Sequence, residues 1–334
     1  MACRARSGRG GRPPLHGSPA ALRRRHKAQT LAHTALNDPA RRTQIIDRRQ
    51  RPGTPLHECQ KHASALPGLT SLPLSQRFHL LLPIFLLGCA PAIAQPLAFD
   101  ADTVGGPASE ARGELFAPAG AGPFPAVVVL HGCDGVGRHD RLWARQLASW
   151  GYVALIVDSF RPRGMNSICN HGMLVPPQLQ ALDGFNAANY LRTQPNVSGE
   201  RIGVIGFSHG GWAVLKAVLA DLVSQASTKP FAAAVAFYPG CDPPRSALQT
   251  DTLILMGEAD DWTPVDRCAR WRDAVEKNGH AMQMKTYPGA LHAFDAPAMP
   301  HSYAGHYIGR NPEAAADALA ETRTFLDARL VLSR

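Results

Sequence analysis

The chain has 334 residues, with 35 Lys and Arg against 26 Asp and Glu, and a formal net charge of +9. That charge is uneven: residues 1–94 hold fifteen basic and three acidic residues, a net of +12, and the remainder holds twenty basic against twenty-three acidic, a net of −3. The basicity belongs to the leader, which removes the main support for reading the whole chain as a nucleic-acid binder. Residues 1–74 are rich in Arg, Pro, His and Ala, show little hydrophobic periodicity and cannot bury a core. They are expected to be a disordered basic leader. A basic flank at Gln76–His79, an apolar stretch from Leu80 to Leu87 and the small-residue site Ala92-Ile93-Ala94 follow. Together they make residues 75–94 a secretory signal peptide, too short for a comfortable membrane span. Cleavage after Ala94 leaves an exported chain from Gln95, periplasmic or secreted. Lipoprotein anchoring at Cys89, after Leu86-Leu87-Gly88, is the less favoured alternative. A signal peptide belongs at a start, yet no methionine lies between Met1 and Met165. The expectation is that translation begins at a non-ATG codon and that residues 1 to about 74 are not made.

Residues 95–334 suit one large α/β domain. Pro125–Leu130 is a continuous apolar, β-branched run, as expected of a strand buried on both faces. It ends in His131-Gly132-Cys133-Asp134-Gly135, where His131 reads as a structural loop histidine. Tyr152–Val157 is a strand ending in Asp158. The connection 160–176 carries Arg, Asn, His and Gly and is expected to overhang a pocket, with Arg161 or Arg163 supplying a cation. Pro177–Arg192 has apolar residues at helical spacing.

Arg201–Phe207 then runs into Gly206-Phe207-Ser208-His209-Gly210, followed by an apolar helical pattern. This is the G-x-S-x-G nucleophile elbow in its required setting, strand before and helix after. Phe231–Tyr238 is the next strand. Thr252–Gly257 is another, and its end carries Glu258-Ala259-Asp260-Asp261-Trp262-Thr263-Pro264. Ala281–Tyr287 is the last strand, followed by a loop with His292. Serine, acid and histidine therefore fall in the chain order of an α/β-hydrolase triad. Ser208 is the nucleophile, His292 the general base, and the carboxylate fixes the imidazole tautomer. Asp260 is preferred over Asp261, which is expected to be solvated or to cap the helix starting near Pro264. The oxyanion amides would be Cys133, after the third strand, and His209, after the nucleophile. All these positions fall at the carboxyl ends of strands, where such sheets bind ligands.

His301 and His306, five residues apart without a carboxylate partner, make a poor metal site. No metal is expected, and the aromatics between residues 299 and 307 read as substrate wall or packing. Trp212 and Trp262 flank the site, with core packing the preferred role. Asn311-Pro312-Glu313 opens the final helix. Four cysteines remain after cleavage, and export suggests disulfides. Strand ends bring Cys241 and the helix carrying Cys268 to one edge, so Cys241–Cys268 is expected, with Cys133–Cys169 the less secure pair and four buried thiols the alternative.

From about Leu97 to the end, the chain resembles the dienelactone hydrolase family of α/β-hydrolases. The resemblance rests on Val127–Val136, Asp158–Gly164, Gly206–Gly211, Gly257–Pro264 with Cys268, and Tyr287–Phe294. It implies an α/β-hydrolase fold, a mostly parallel central sheet with helices on both faces. It also implies action on an ester, lactone or similar acyl bond without a cofactor, and it matches Asp260 to the family acid. Three departures stand out. Ser208 replaces the archetype's cysteine, Gly132 stands at its glutamate, and Ala296 stands at its substrate-holding arginine. Fold and triad are supported, but dienelactone as substrate is not.

The leading expectation is a serine hydrolase cleaving a small carboxylic ester or lactone through an acyl-enzyme. Its partner is that small molecule, with no nucleic acid and no integral membrane span in the mature chain. A peptidase or amidase with the same triad, and a non-catalytic binding protein on this fold, are the alternatives. The first of these is disfavoured because relatives that cleave peptides carry a large additional domain.

Overall fold

The computed structural model describes residues 94–101 and 109–331. The expected basic leader and, apart from Ala94, the expected signal peptide lie outside the described residues. In chain order the strands are β1 (Gln95–Ala101), β2 (Ser109–Phe116), β3 (Phe124–Leu130), β4 (Val153–Asp158), β5 (Val197–Phe207), β6 (Ala233–Phe237), β7 (Thr252–Gly257) and β8 (Met282–Tyr287). They form one sheet in the order β1-β2-β4-β3-β5-β6-β7-β8. From β4 onward the pairs are parallel, and β1 and β2 add an antiparallel edge. A separate hairpin pairs β9 (His301–Tyr303) with β10 (His306–Ile308).

The helices are α1 (Arg138–Ser149), α2 (Pro177–Thr193), α3 (His209–Ala217), α4 (Ala220–Gln225), α5 (Val265–Ala274) and α6 (Pro312–Leu330). Every residue of β4, β6 and β7 is buried, as parallel strands covered on both faces must be. The elements expected from the sequence are present, most within one or two residues of the expected bounds. Asn311 caps α6, its side chain accepting from the Ala314 amide at 3.0 Å. The sequence reading did not find β1, β2, β9 or β10. β1 and β2 are mixed in composition and β9 and β10 span three residues each, and an edge strand or hairpin needs no continuous apolar run.

The sheet core runs through Val128, Leu155, Ile205, Val235 and Ile254, all inaccessible to solvent. On the side of α1, aromatic rings fill the space between the central strands and the helices: Phe207 lies 5.5 Å from Trp143 and 5.2 Å from Phe237. This packing sets the ends of β5 and β6 rigidly beside one another. No helix among the described residues is long and apolar enough to cross a membrane. Leu155→Ala in β4 is expected to lower unfolding free energy by about 3 kcal/mol, the cost of a cavity in a core that cannot collapse. Chemical denaturation reads this loss, and activity per folded molecule should be unchanged.

Candidate active site

The elbow follows from two bare backbones meeting. A Cβ on Gly206 would lie 2.2 Å from the Gly210 carbonyl oxygen, and one on Gly210 would lie 2.1 Å from that of Leu130. Only glycine admits this crossing of β5, β3 and α3. Between the two glycines Ser208 takes φ 53° and ψ −113°, a backbone conformation costly for a residue with a Cβ. Its amide is bound to the Phe237 carbonyl at 2.9 Å. The turn therefore presents the Ser208 hydroxyl at the strand's carboxyl end, at the N-terminus of α3.

The structure brings Ser208, His292 and Asp260 into one hydrogen-bonded line. His292 Nε2 lies 2.9 Å from Ser208 Oγ, and His292 Nδ1 lies 2.8 Å from Asp260 Oδ2. A carboxylate only accepts, so the Nδ1–H donates to Asp260 and Nε2 is left to accept from the serine. His292 and Asp260 are 3% and 5% exposed, which leaves the pair little solvent to screen it. Asp260 is fully engaged: Oδ1 accepts the amides of Trp262 and Thr263 at 2.9 and 2.8 Å, and Oδ2 accepts the Thr263 hydroxyl at 2.8 Å.

Asp261 does something else. Its carboxylate is half in solvent, lies 3.3 Å from His306 Nδ1 and accepts the Tyr307 amide at 3.4 Å. It anchors the β9–β10 hairpin instead of capping α5, whose N-cap is Pro264 with no side-chain cap bond. The hairpin is rooted at the histidine itself, because the Gly309 amide donates to the His292 carbonyl at 3.0 Å and Ile308 pairs with His292. Trp262 is not core, contrary to the preferred sequence reading. Half-buried, it stacks on His306 at 4.7 Å and lies 5.1 Å from the His292 ring. The hairpin it leans on was invisible in the sequence. Trp212 is also only half-buried, its indole N–H donating to Asp242.

The loop after β3 lies against the serine: a Cβ on Gly132 would be 3.7 Å from Ser208 Cβ. Cys133 follows it and is bonded to Cys169, and Cys241 is bonded to Cys268, so both expected disulfides are present. His209 opens α3, where backbone amides have no intrahelical acceptor. Its ring is held between Gln180 Oε1 at 2.7 Å and the Gly172 carbonyl at 3.1 Å, and burial pushes its pKa down to about 4. His131 is buried and structural. The Ser159 amide donates to its Nε2 at 3.1 Å, so Nδ1 carries the proton and donates to the Gly132 carbonyl at 2.8 Å.

Arg163 grips Asp183 with both terminal nitrogens, at 2.8 and 2.9 Å, and its Nη1 also donates to the Ser159 carbonyl. Arg161 pairs with Asp158 at 3.3 Å, in the wall of a groove shared with Pro96, Arg112 and Glu114. These partners tie the 160–176 connection to the end of β4 and to α2. His301 is exposed, its Nδ1 lying 2.8 Å from the Met299 carbonyl. Among the described residues, Cys133, Asp134 and Cys169 are the one set with three possible metal-ligand atoms within 4.8 Å, and there the two sulfurs are bonded to each other.

Behind His292 lies a brace that sequence reasoning missed. The Tyr238 ring packs edge-on against His292 at 4.7 Å, and its hydroxyl donates to Asp295 Oδ1 at 2.7 Å. Asp295 Oδ2 accepts from His139 at 2.8 Å and Trp143 at 2.7 Å. Tyr238 sits at φ 36°, and its carbonyl is 3.1 Å from the Thr263 hydroxyl that serves Asp260. The spacing Asp260-x-x-Thr263 is a readable signal of a carboxylate closing a turn. Nothing in the sequence pairs Tyr238 with Asp295.

The model of the dienelactone hydrolase family matches residues 111–330. A Synechocystis protein named "Putative carboxymethylenebutenolidase" is 25% identical over 237 residues, 65% of this chain and 92% of that one. A Bradyrhizobium protein named "Probable 2-oxo-3-(5-oxofuran-2-ylidene)propanoate lactonase" is 25% identical over 202 residues, 54% of this chain and 77% of that one. The crystal structure of dienelactone hydrolase from Anabaena variabilis superposes with a TM-score of 0.51 at 19% identity, covering 71% of this chain and 99% of that one. At that identity the last shows the fold alone.

The brace has a pH signature. Burial works against both charges, but the mutual attraction of His139 and Asp295 outweighs it, raising His139 above 6.5 and lowering Asp295 below 3.8. The depressed carboxylate contributes stability present above its unfolded pKa and lost in acid. The raised imidazole contributes stability that is full below about pH 6.5 and lost as pH climbs through its folded value. His139→Gln should therefore cost roughly 3 kcal/mol at pH 6, by stranding a buried carboxylate. It should also remove part of the wild-type decline between pH 6 and pH 9, as denaturation midpoints across that range would read.

Proposed function

The chain belongs to the dienelactone hydrolase family and hydrolyses an ester or lactone bond, and from that premise we propose that it works as a serine hydrolase through an acyl-enzyme. The observation that carries this reading is the unbroken line from Ser208 Oγ through both ring nitrogens of His292 to Asp260, at 2.9 and 2.8 Å. As Ser208 Oγ attacks the acyl carbon, its proton passes to His292 Nε2. The resulting imidazolium is stabilised by Asp260, whose charge is held by two amides and the Thr263 hydroxyl. The backbone amides of Cys133 and His209 receive the oxyanion. Collapse returns the proton to the leaving alcohol. For a lactone that alcohol stays attached to the acyl group. Water activated by His292 then releases the acid.

Arg161 and Arg163 have no part in this reading, since Asp158 and Asp183 hold them. Trp262, Tyr303 and His306 wall the site from the hairpin side and favour a substrate with a flat or apolar group there. The two disulfides support an exported protein working in an oxidising compartment.

A fluorophosphonate should add once, to Ser208, in the folded protein and not in Ser208→Ala, as intact mass and the labelled peptide would read. An unlabelled wild-type protein would overturn the serine mechanism. Asp260→Asn should lower kcat by about 10⁴, the scale on which a wrong imidazole tautomer acts. Asp261→Asn should cost less than about tenfold, because it loosens a hairpin and leaves the tautomer alone. Steady-state hydrolysis of a nitrophenyl ester separates the two.

A further inference from the structure

The Cys133–Cys169 disulfide lies where a stabilising cross-link has no need to be. Cys133 follows Gly132, whose backbone faces the Ser208 side chain, and its own amide is one of the two oxyanion donors in the reading above. Its sulfur is joined to a residue 36 positions along the chain, in the connection between β4 and α2. Besides the ion pairs Arg161–Asp158 and Arg163–Asp183 near its start, that connection has little to hold it. It contains two three-residue helical turns, Arg161–Arg163 and Gly172–Leu174, and the small cluster of Phe160, Ile168 and Val175.

The loop and the connection are laid edge to edge. The Ile168 amide donates to the Cys133 carbonyl at 2.8 Å, and the Gly135 amide closes the loop onto the Gly132 carbonyl at 3.2 Å. A Cβ on Gly135 would come 2.6 Å from the Asn166 carbonyl oxygen. Tyr303 ties the hairpin to the same loop through Asp134 Oδ1 at 2.6 Å. The connection also touches the side chain of the residue that carries the second donor, because the Gly172 carbonyl lies 3.1 Å from the His209 ring. The other disulfide differs in place: Cys241–Cys268 joins the chain after β6 to α5.

We propose that the Cys133–Cys169 disulfide positions the Cys133 amide as an oxyanion donor, so that turnover requires this bond to be oxidised. The inference rests on the serine-hydrolase reading of the site. An amide serves an oxyanion only within a few tenths of an ångström of its place. At Cys133 itself the loop is held, apart from the disulfide, by one peptide hydrogen bond from Ile168; the His131 ring, Gln180 and Tyr303 fix its neighbours. With the covalent tie cut, the Cys133 peptide samples positions outside that range. A dithiol reductant breaks the S–S bond, delivers two electrons and two protons to give the Cys133 and Cys169 thiols, and leaves as its own cyclic disulfide. The folded protein then keeps Ser208, His292 and Asp260 in line but loses a fixed donor. Cys169 is on this account a positioning residue. The hydrolase loses most of its turnover in a reducing compartment and regains it in an oxidising one.

The experiment compares four proteins on a nitrophenyl ester: wild type, Cys133→Ala/Cys169→Ala, Cys241→Ala/Cys268→Ala and Ser208→Ala. Each is also titrated with a boronic acid, which forms a tetrahedral adduct on an activated serine and draws on the same donors. The Cys133/Cys169 variant should stay folded by circular dichroism, lose about 10- to 100-fold in kcat with KM within about threefold, and bind the boronic acid more weakly by a similar factor. The Cys241/Cys268 variant should unfold at lower temperature yet keep its kcat, lose it on treatment with a dithiol, and regain it on reoxidation. A Cys133/Cys169 variant with kcat within twofold of wild type would overturn the proposal. So would equal losses in both double variants, tracking their unfolded fractions. Hydrolysis surviving in Ser208→Ala would instead bring down the reading of the site on which the proposal rests.

Discussion

The close crossing of β3, β5 and the first turn of α3 is the constraint on which the rest depends. Gly206 and Gly210 let peptide groups approach to distances that any Cβ would block. Between them Ser208 is forced into a strained conformation at the sheet's carboxyl edge. Strain of that kind persists only where the surroundings over-determine it. Here the surroundings are the buried central strands, the Phe237 carbonyl that takes the Ser208 amide, and the packed rings of Phe207, Phe237 and Trp143. Stability in the core is thus converted into the orientation of one hydroxyl.

The histidine and its acid are held by a second set of contacts, mostly polar and mostly buried. Asp260 accepts two amides and a hydroxyl besides His292. Behind the imidazole, Tyr238 links the histidine's ring face to the buried Asp295–His139 pair, and its carbonyl reaches Thr263. An unpaired charge at this depth costs several kcal/mol, so each member of the network fixes its neighbours. The hairpin completes the enclosure from outside, rooted at His292 by main-chain bonds and anchored by Asp261. The two adjacent aspartates therefore divide the work: one orients the imidazole and the other secures the hairpin beside it.

The elements that position the site were readable because their causes are local. A run such as Thr252–Gly257 is apolar throughout because it is covered on both faces, and Asn311-Pro312 opens a helix by capping it. The edge strands β1 and β2 and the hairpin went unread because their mixed sequences carry no continuous apolar run, although β1 pairs with β2 and β9 with β10 close by in the chain. Trp262 was misplaced because its environment is that hairpin, about forty residues on. Arg163 looked available for a substrate because its partner Asp183 lies twenty residues on along the chain.

By itself the sequence determined the doubly covered sheet, the elbow and the chain order of Ser208, Asp260 and His292, since these depend on residue type and near-neighbour spacing. Tertiary structure alone decided that Tyr238 and Asp295 stand behind the histidine, that Asp261 anchors the hairpin, and how that hairpin closes over Trp262. It also laid Gly132, the neighbour of the bonded Cys133, against the Ser208 side chain. Those relations are distances between segments brought together by burial of the core, and no local pattern of residues encodes a distance of that kind.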